Sequence, residues 1–394
     1  MCRDSARGVA TWLGTALSAP ALLAAGVAGA APWTLEPSVA LSTTYQSNPQ
    51  FYVSEPHSGS GELVTIALPL SWQDGRTLFQ LRPTANAGDS SGAAGLGVDN
   101  RTVDLAWSRG FDRGNWRLNG GYARLDLFGA EAANLGVVRP VGYSTDAVAD
   151  LGTTYFATAR GQLDLDVSQR RLDYHEPGSS LIDYRYSIAA GNYAYALTER
   201  TQLLATASAG LFEPDAPRGA SHDLSVQVGA SRKFTENLSA QATVGHSTMT
   251  PVGGGPSDTG DIYAASVKWT RLRWSLSLGA SRSRQPGAYG DLALVTDYSA
   301  GWSRGFSERL TLTIAAGLTD SEDRYAGVVL DRRSYRHGEF LLTYFLTPAW
   351  RLDLRATAAQ ASNPATALRP TATEASSAGG SIGLVRVFGP TRLF

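Results

Sequence analysis

The sequence predicts an all-β fold, a transmembrane antiparallel up-and-down β-barrel of about 18 strands (16–20), with short periplasmic turns and longer extracellular loops. Three observations predict it. Apolar and polar residues alternate over runs of roughly ten residues. Short and long connections alternate between those runs. An apolar leader opens the chain, and nothing after it is long and apolar enough to be a membrane helix.

Residues 1–30 read as a secretory signal. Arg3 and Arg7 give a positive start, Val9 to Val27 is apolar, and Ala28-Gly29-Ala30 supplies the small-x-small cleavage pattern. Residues 31–394 then form one barrel domain. Cys2, the single cysteine, falls in the leader, so the mature chain has neither disulfides nor cysteine metal sites. Charged residues are 18% of the chain, below the usual quarter or so. Mean hydropathy is -0.15, which excludes a bundle of hydrophobic helices. A net charge of -1 gives no footprint for nucleic acid.

The alternation starts with Val64, Ile66, Leu68, Leu70 and Trp72 on one face and Thr65, Ala67 and Ser71 on the other. Leu224, Val226 and Val228 alternate with Ser225, Gln227 and Gly229. Leu238 to Gly245, Trp274 to Ser281 and Leu310 to Thr319 repeat the pattern. Such runs exceed the five or six residues usual in soluble sheets. A soluble sandwich or propeller would share the period of two. It would not need polar faces made of Ser, Thr, Gly and Gln, nor tryptophans gathered at strand ends. Trp33, Trp72, Trp107, Trp116, Trp269, Trp274, Trp302 and Trp350 all lie near a short turn or a strand start, as an interfacial girdle requires.

Short turns are predicted at 73–75, 112–114, 159–161, 198–200, 235–237, 271–273, 307–309 and 347–349. Long loops fall near 47–61, 88–100, 127–146, 174–182, 213–222, 249–260, 285–291, 321–331 and 362–375. With this pattern both termini lie on the short-turn side.

The inward face carries both charge signs. Asp164, Asp166 and Arg170 share a face opposite Leu163, Leu165 and Val167. Arg351, Asp353 and Arg355 oppose Leu352 and Leu354, and His337 and Glu339 are placed inward too. These eight are the candidate lumen residues. Tyr184, Tyr186, Tyr193 and Tyr195 offer ring faces for sugars, though some must face lipid. Residues 127–146 are the one loop long enough to fold into the lumen.

No enzymatic chemistry is expected. Of the five histidines, His57, His175 and His222 are placed in outer loops. His175-Glu176 and His222-Asp223 are poor acid/base pairs, because strand neighbours point to opposite faces. There is no Gly-x-Ser-x-Gly elbow and no metal-ligand spacing, so neither metal nor cofactor is implied.

The opening run Leu35-Glu36-Pro37-Ser38-Val39-Ala40-Leu41-Ser42-Thr43-Thr44-Tyr45-Gln46-Ser47-Asn48-Pro49 resembles the start of the β-barrel porins linked to bacterial exopolysaccharide systems. The turns Leu197-Thr198-Glu199-Arg200-Thr201 and Phe306-Ser307-Glu308-Arg309-Leu310 resemble the strand-turn-strand signature of that group. The closing strand from Gly380 to Phe388, with Phe394 at the end, resembles the signal read by the barrel-assembly machinery. The resemblance implies an eighteen-strand-class barrel in the bacterial outer membrane, a conduit or accessory barrel for exopolysaccharide export. It carries over no catalytic residue. The expected partners are outer-membrane lipid and lipopolysaccharide, the assembly machinery, polysaccharide and periplasmic export components. The alternatives are a general diffusion porin for small polar solutes and a non-conducting structural or adhesive barrel.

Overall fold

A computed structural model describes residues 32–49, 51, 57–91, 99–126, 142–175, 181–215, 219–325, 328–363 and 373–393. The expected leader lies outside them. Every regular element among the described residues is a strand: β1 (Thr34–Leu35), β2 (Ser38–Gln46), β3 (Gly59–Ala67), β4 (Leu70–Asp74), β5 (Thr77–Ser91), β6 (Arg101–Phe111) and β7 (Gly114–Asp126). Next come β8 (Tyr143–Phe156), β9 (Gly161–His175), β10 (Tyr184–Thr198), β11 (Thr201–Pro214), β12 (Ser221–Lys233), β13 (Leu238–Pro251) and β14 (Asp258–Arg271). The series ends with β15 (Trp274–Pro286), β16 (Leu292–Gly305), β17 (Leu310–Tyr325), β18 (Val328–Thr347), β19 (Trp350–Asn363), β20 (Thr373–Val387) and β21 (Thr391–Arg392).

All pairings are antiparallel, from β5 to β20 each strand pairs with the next in sequence, and β2 pairs with β20 to close the sheet into a tube. Pro69 has no N–H to give and interrupts one wall strand, so β3 and β4 both lie along β5. Counting that pair once and setting aside the two-residue β1 and β21, the wall has the eighteen strands expected. Beneath it β1 bridges β4 and β21, and the Leu393 amide donates to the Trp33 carbonyl at 3.0 Å.

The outer surface is an apolar belt. Leu41, Val103, Leu118, Leu165, Val228 and Val244 are exposed there. Aromatics rim its short-turn edge, where Trp269 meets Trp274 edge-to-face at 4.7 Å. Arg304 lies 5.1 Å from the Phe306 ring and Arg386 4.6 Å from that of Phe388, so the guanidinium groups sit over rings at the water boundary.

All eight predicted short turns occur. Five share one device: a Thr or Ser hydroxyl accepts from the backbone amides two and three residues on. Thr158, Thr198, Thr235, Ser307 and Thr347 each do so at 2.8–3.2 Å. The long-loop rim departs more from expectation. Residues 143–146 belong to β8, and most of 321–331 belongs to β17 and β18, which run to 16 and 20 residues. Beyond the bilayer, strands can continue with polar residues, so composition alone does not mark where pairing stops. His175 and His222 are strand residues for the same reason.

Candidate functional site: an inward-folded hairpin and a charged wall

The β15–β16 hairpin leaves the wall near its tip. Its ladder with β14 stops at the Tyr263–Arg282 pair, while β15 and β16 stay paired out to Pro286 and Leu292. The freed end bends into the lumen. Up to Arg282, even-numbered β15 side chains face outward with Leu278; beyond it, Arg284 lies against the inner wall instead. Its Nε donates to Ser247 Oγ at 3.0 Å, and its Nη2 to Asp258 Oδ2 at 2.8 Å and to the Asp258 carbonyl at 3.0 Å. Asp223 stands 4.0 Å away and accepts from the Tyr186 hydroxyl at 3.4 Å. Three wall strands therefore hold one hairpin arginine.

The tip spans residues 287–291. The Ile182 amide donates to the Ala288 carbonyl at 2.9 Å, although β10 and β15 stand five strands apart in the wall. Gly290 has φ +73 and packs on Ile182, where a Cβ would meet Cδ1 at 3.0 Å; only glycine takes that conformation at that distance without strain. Ala288, Leu292, Ala293 and Val295 form a buried cluster with Leu172, Tyr174, Tyr184, Phe212 and Met249. On the other side the Tyr289 ring lies 5.0 Å from the Arg333 guanidinium, which donates to Asp323 at 2.6 and 2.7 Å. Apolar burial on one side and a cation–ring contact on the other hold the tip across the barrel.

This corrects the expectation that residues 127–146 are the only segment able to fold inward. A five-residue tip does so, because the strands behind it supply the reach. The part of that longer loop from 127 to 141 lies outside the described residues.

The eight candidate lumen residues lie on β9, β18 and β19, of which β9 and β18 also carry residues packed against the hairpin tip. Asp164, Asp166 and Arg170 share the face opposite the exposed Leu165 and Val167. Asp164 accepts from Thr154, Asp166 pairs with Arg117, and Arg170 pairs with Asp146 at 2.8 Å. Arg351 and Asp353 pair at 3.1 Å, and Arg355 pairs with Glu339 at 3.2 Å. His337 lies across Gly317 and stacks on Tyr335 with ring centres 5.6 Å apart. Below the hairpin the same inner face is hydroxyl-rich, with Ser208 against Ser225, Thr243 on Gln227, and Thr313 near Ser303.

Burial separates two kinds of ion pair. The side chains of Arg284 and Asp258 are 1% and 0% exposed and that of Arg333 is 2%, whereas Arg351 and Arg355 are 41% and 51% exposed. Of the four tyrosines, Tyr184 and Tyr186 point inward against the hairpin cluster, and Tyr193 is exposed on the face shared with Leu163 and Leu165. Asp223, Asp258, Arg284, Asp323 and Arg333 were not among the sequence candidates. The available signal was Arg284 itself, a charge continuing the apolar, outward parity of Trp274, Leu276 and Leu278.

His246 and Asp261 contact at 3.2 Å on the outward face, in register across β13 and β14. His222 and Asp223 face opposite sides of β12, with Asp223 buried inside. Among the described residues no group of three or more His, Cys, Asp and Glu could hold a metal ion.

The chain is similar to several solved structures. OpdQ from Pseudomonas aeruginosa is 10% identical, covers 92% of this chain and 99% of its own, and has a TM-score of 0.47. OccK2 (OpdF) from the same organism is 12% identical over 90% and 98%, with a TM-score of 0.48. OccAB2 from Acinetobacter baumannii is 13% identical over 91% and 98%, with a TM-score of 0.45. No family model and no curated protein matches the chain. The likeness to exopolysaccharide-linked barrels therefore rests on the opening run and the turns alone.

Proposed function

We propose that the protein is a passive outer-membrane channel for small polar solutes, with the lumen narrowed on one side by the β15–β16 hairpin. The observation that carries this reading is the contrast in burial. Arg351, Arg355 and Glu339, inward on β19 and β18, stay open to water, while Arg284 and Asp258 and, farther along β18, Arg333 are sealed at the hairpin. A hydrated, charge-lined passage beside a fixed constriction suits solutes that must shed little water. Asp164, Asp166, Arg170, His337, Glu339, Arg351, Asp353 and Arg355 line that passage, with Arg117, Asp146 and Asp150 beside them.

An exopolysaccharide conduit fits less well, because a polymer would have to thread past a hairpin pinned by buried ion pairs. A closed structural barrel is disfavoured by the exposed inward charges. Conductance of the refolded mature protein in a planar bilayer tests the reading. Steady ohmic steps, insensitive to long glycans, are expected. Silence from protein that is folded and inserted would overturn the channel, and block by acidic or neutral glycans would restore the polysaccharide route.

A further inference from the structure

We propose that the short-turn corner of β14–β16 binds the headgroup of an anionic glycerophospholipid in the periplasmic leaflet, the one that meets the short turns. The inference rests on the barrel's insertion in a membrane and not on conduction. Three arginines converge at this corner. Arg271 on β14 pairs in register with Trp274 on β15, and Trp274 pairs in turn with Arg304 on β16. The row is the last outward step after Leu278 and Leu276, so it stands where the apolar belt gives way to headgroups. Arg271 and Arg304 are two strands apart, about 10 Å at the usual spacing. A phosphate between them can accept from both guanidinium groups. Arg271 also lies 5.8 Å from the Trp269 ring, which keeps its charge at the edge of the belt.

Arg273 joins them from the turn itself, where its carbonyl accepts from the Gly305 amide at 2.7 Å. Beneath the row a cleft of about 420 Å³ opens between the β14–β15 and β16–β17 turns. Arg271, Arg273 and the hydroxyls of Ser275, Ser303 and Ser307 line it. A headgroup alcohol suits that lining while the arginines hold the phosphate. Among the described residues no carboxylate lies within ion-pair distance of Arg271, Arg273 or Arg304. The flanking turns contribute Glu236 and Glu308, which the three arginines outnumber. Other short turns are arranged differently. Arg76 is paired with Asp112 at 2.7 Å, and Arg200 and Arg309 each follow a glutamate. Of the eight short turns, only that of β14–β15 carries two arginines, and it carries no acid. Its apex, Leu272, is fully exposed, and burial against the glycerol carbons of a bound lipid is favourable for such a side chain.

The test refolds the protein into phosphatidylcholine vesicles that carry a minor fraction of phosphatidylglycerol. Folding is followed by gel mobility, and lipid retained after extraction into mild detergent is identified by native mass spectrometry. The native chain is expected to keep phosphatidylglycerol in preference to phosphatidylcholine, whose choline cation the arginines repel. Retention should fall about tenfold in Arg271→Gln/Arg304→Gln, the loss of roughly one charge-assisted hydrogen bond, and persist in Arg200→Gln. Equal retention of the two lipids by the native chain, or undiminished phosphatidylglycerol on the double variant, would overturn the proposal. Full competition by inorganic phosphate would overturn it too, assigning a free-anion site. Should the double variant fold poorly, Arg304→Gln alone carries the same test. Failure of the native chain to insert would sink the membrane placement and this site together, whereas insertion without a lipid preference sinks the site alone.

Discussion

Arginine–carboxylate pairs occur on both sides of the lumen, yet they do different things. Beneath the hairpin, Arg284–Asp258 and Arg333–Asp323 are shut off from water, and removing one partner strands the other. On the open wall, Arg351–Asp353 and Arg355–Glu339 remain hydrated, so their mutual attraction is screened and small. The same residue types serve as fasteners in one place and as a lining in the other. Burial, not composition, decides which.

The sharpest way to break this comparison is Arg284→Ala. It leaves Asp258 and Asp223 buried without their cation, at a cost of about 3–5 kcal/mol. The hairpin should leave the lumen, and the current per channel should rise and become noisy. A thiol placed by Ala288→Cys should react with a soluble reagent in that background and resist it otherwise, with Cys2, the chain's single cysteine, replaced by Ser. If Ala288→Cys labels equally fast with Arg284 present, the hairpin is not held.

A smaller effect is expected from Gly290→Ala, which forces a side chain into a positive φ against Ile182 and costs roughly 1–3 kcal/mol. Labelling at position 288 should increase, with little change in the midpoint of global unfolding. On the open wall, Arg355→Gln should alter stability by no more than about 1 kcal/mol. It frees Glu339, so the reversal potential in a salt gradient should move toward cations; an unmoved potential would remove this wall from the permeation path. The least effect is expected at a short turn. Thr235→Ala removes a hydroxyl that serves two exposed amides, worth about 0.5–1.5 kcal/mol, and should slow refolding without changing conductance.

These two regions were not equally legible in the sequence. The short turns were, because a hydroxyl capping amides two and three residues on is a local device and Thr198-Glu199-Arg200 carries it whole. The open wall was legible too, since Leu163, Leu165 and Val167 identify by alternation which face Asp164 and Asp166 take. The hairpin was not. Arg284 meets Asp223 and Asp258 only because its hairpin has left the wall, and Leu292 and Leu294 continue an alternation that otherwise means contact with lipid. A period of two identifies two faces of a ribbon; it does not report that the ribbon has turned over.

The seam has a consequence of another kind. Apart from β2–β20, the short β1–β21 and β1–β4 pairs beneath it, and β3–β5, which passes over β4, each ladder joins strands adjacent in the chain, so hairpins can form in any order at little entropic cost. The seam must bring together segments more than 300 residues apart, and it has nine paired positions with which to do so, plus Asn48 Nδ2 on the Ser376 carbonyl at 3.1 Å and the Ser47 amide on the Ala378 carbonyl at 2.8 Å. Before that closure the molecule is a curled ribbon with two raw edges, each able to pair with a stranger's edge. The polar clasp at Ser47 and Asn48 thus extends the one long-range ladder that removes both edges.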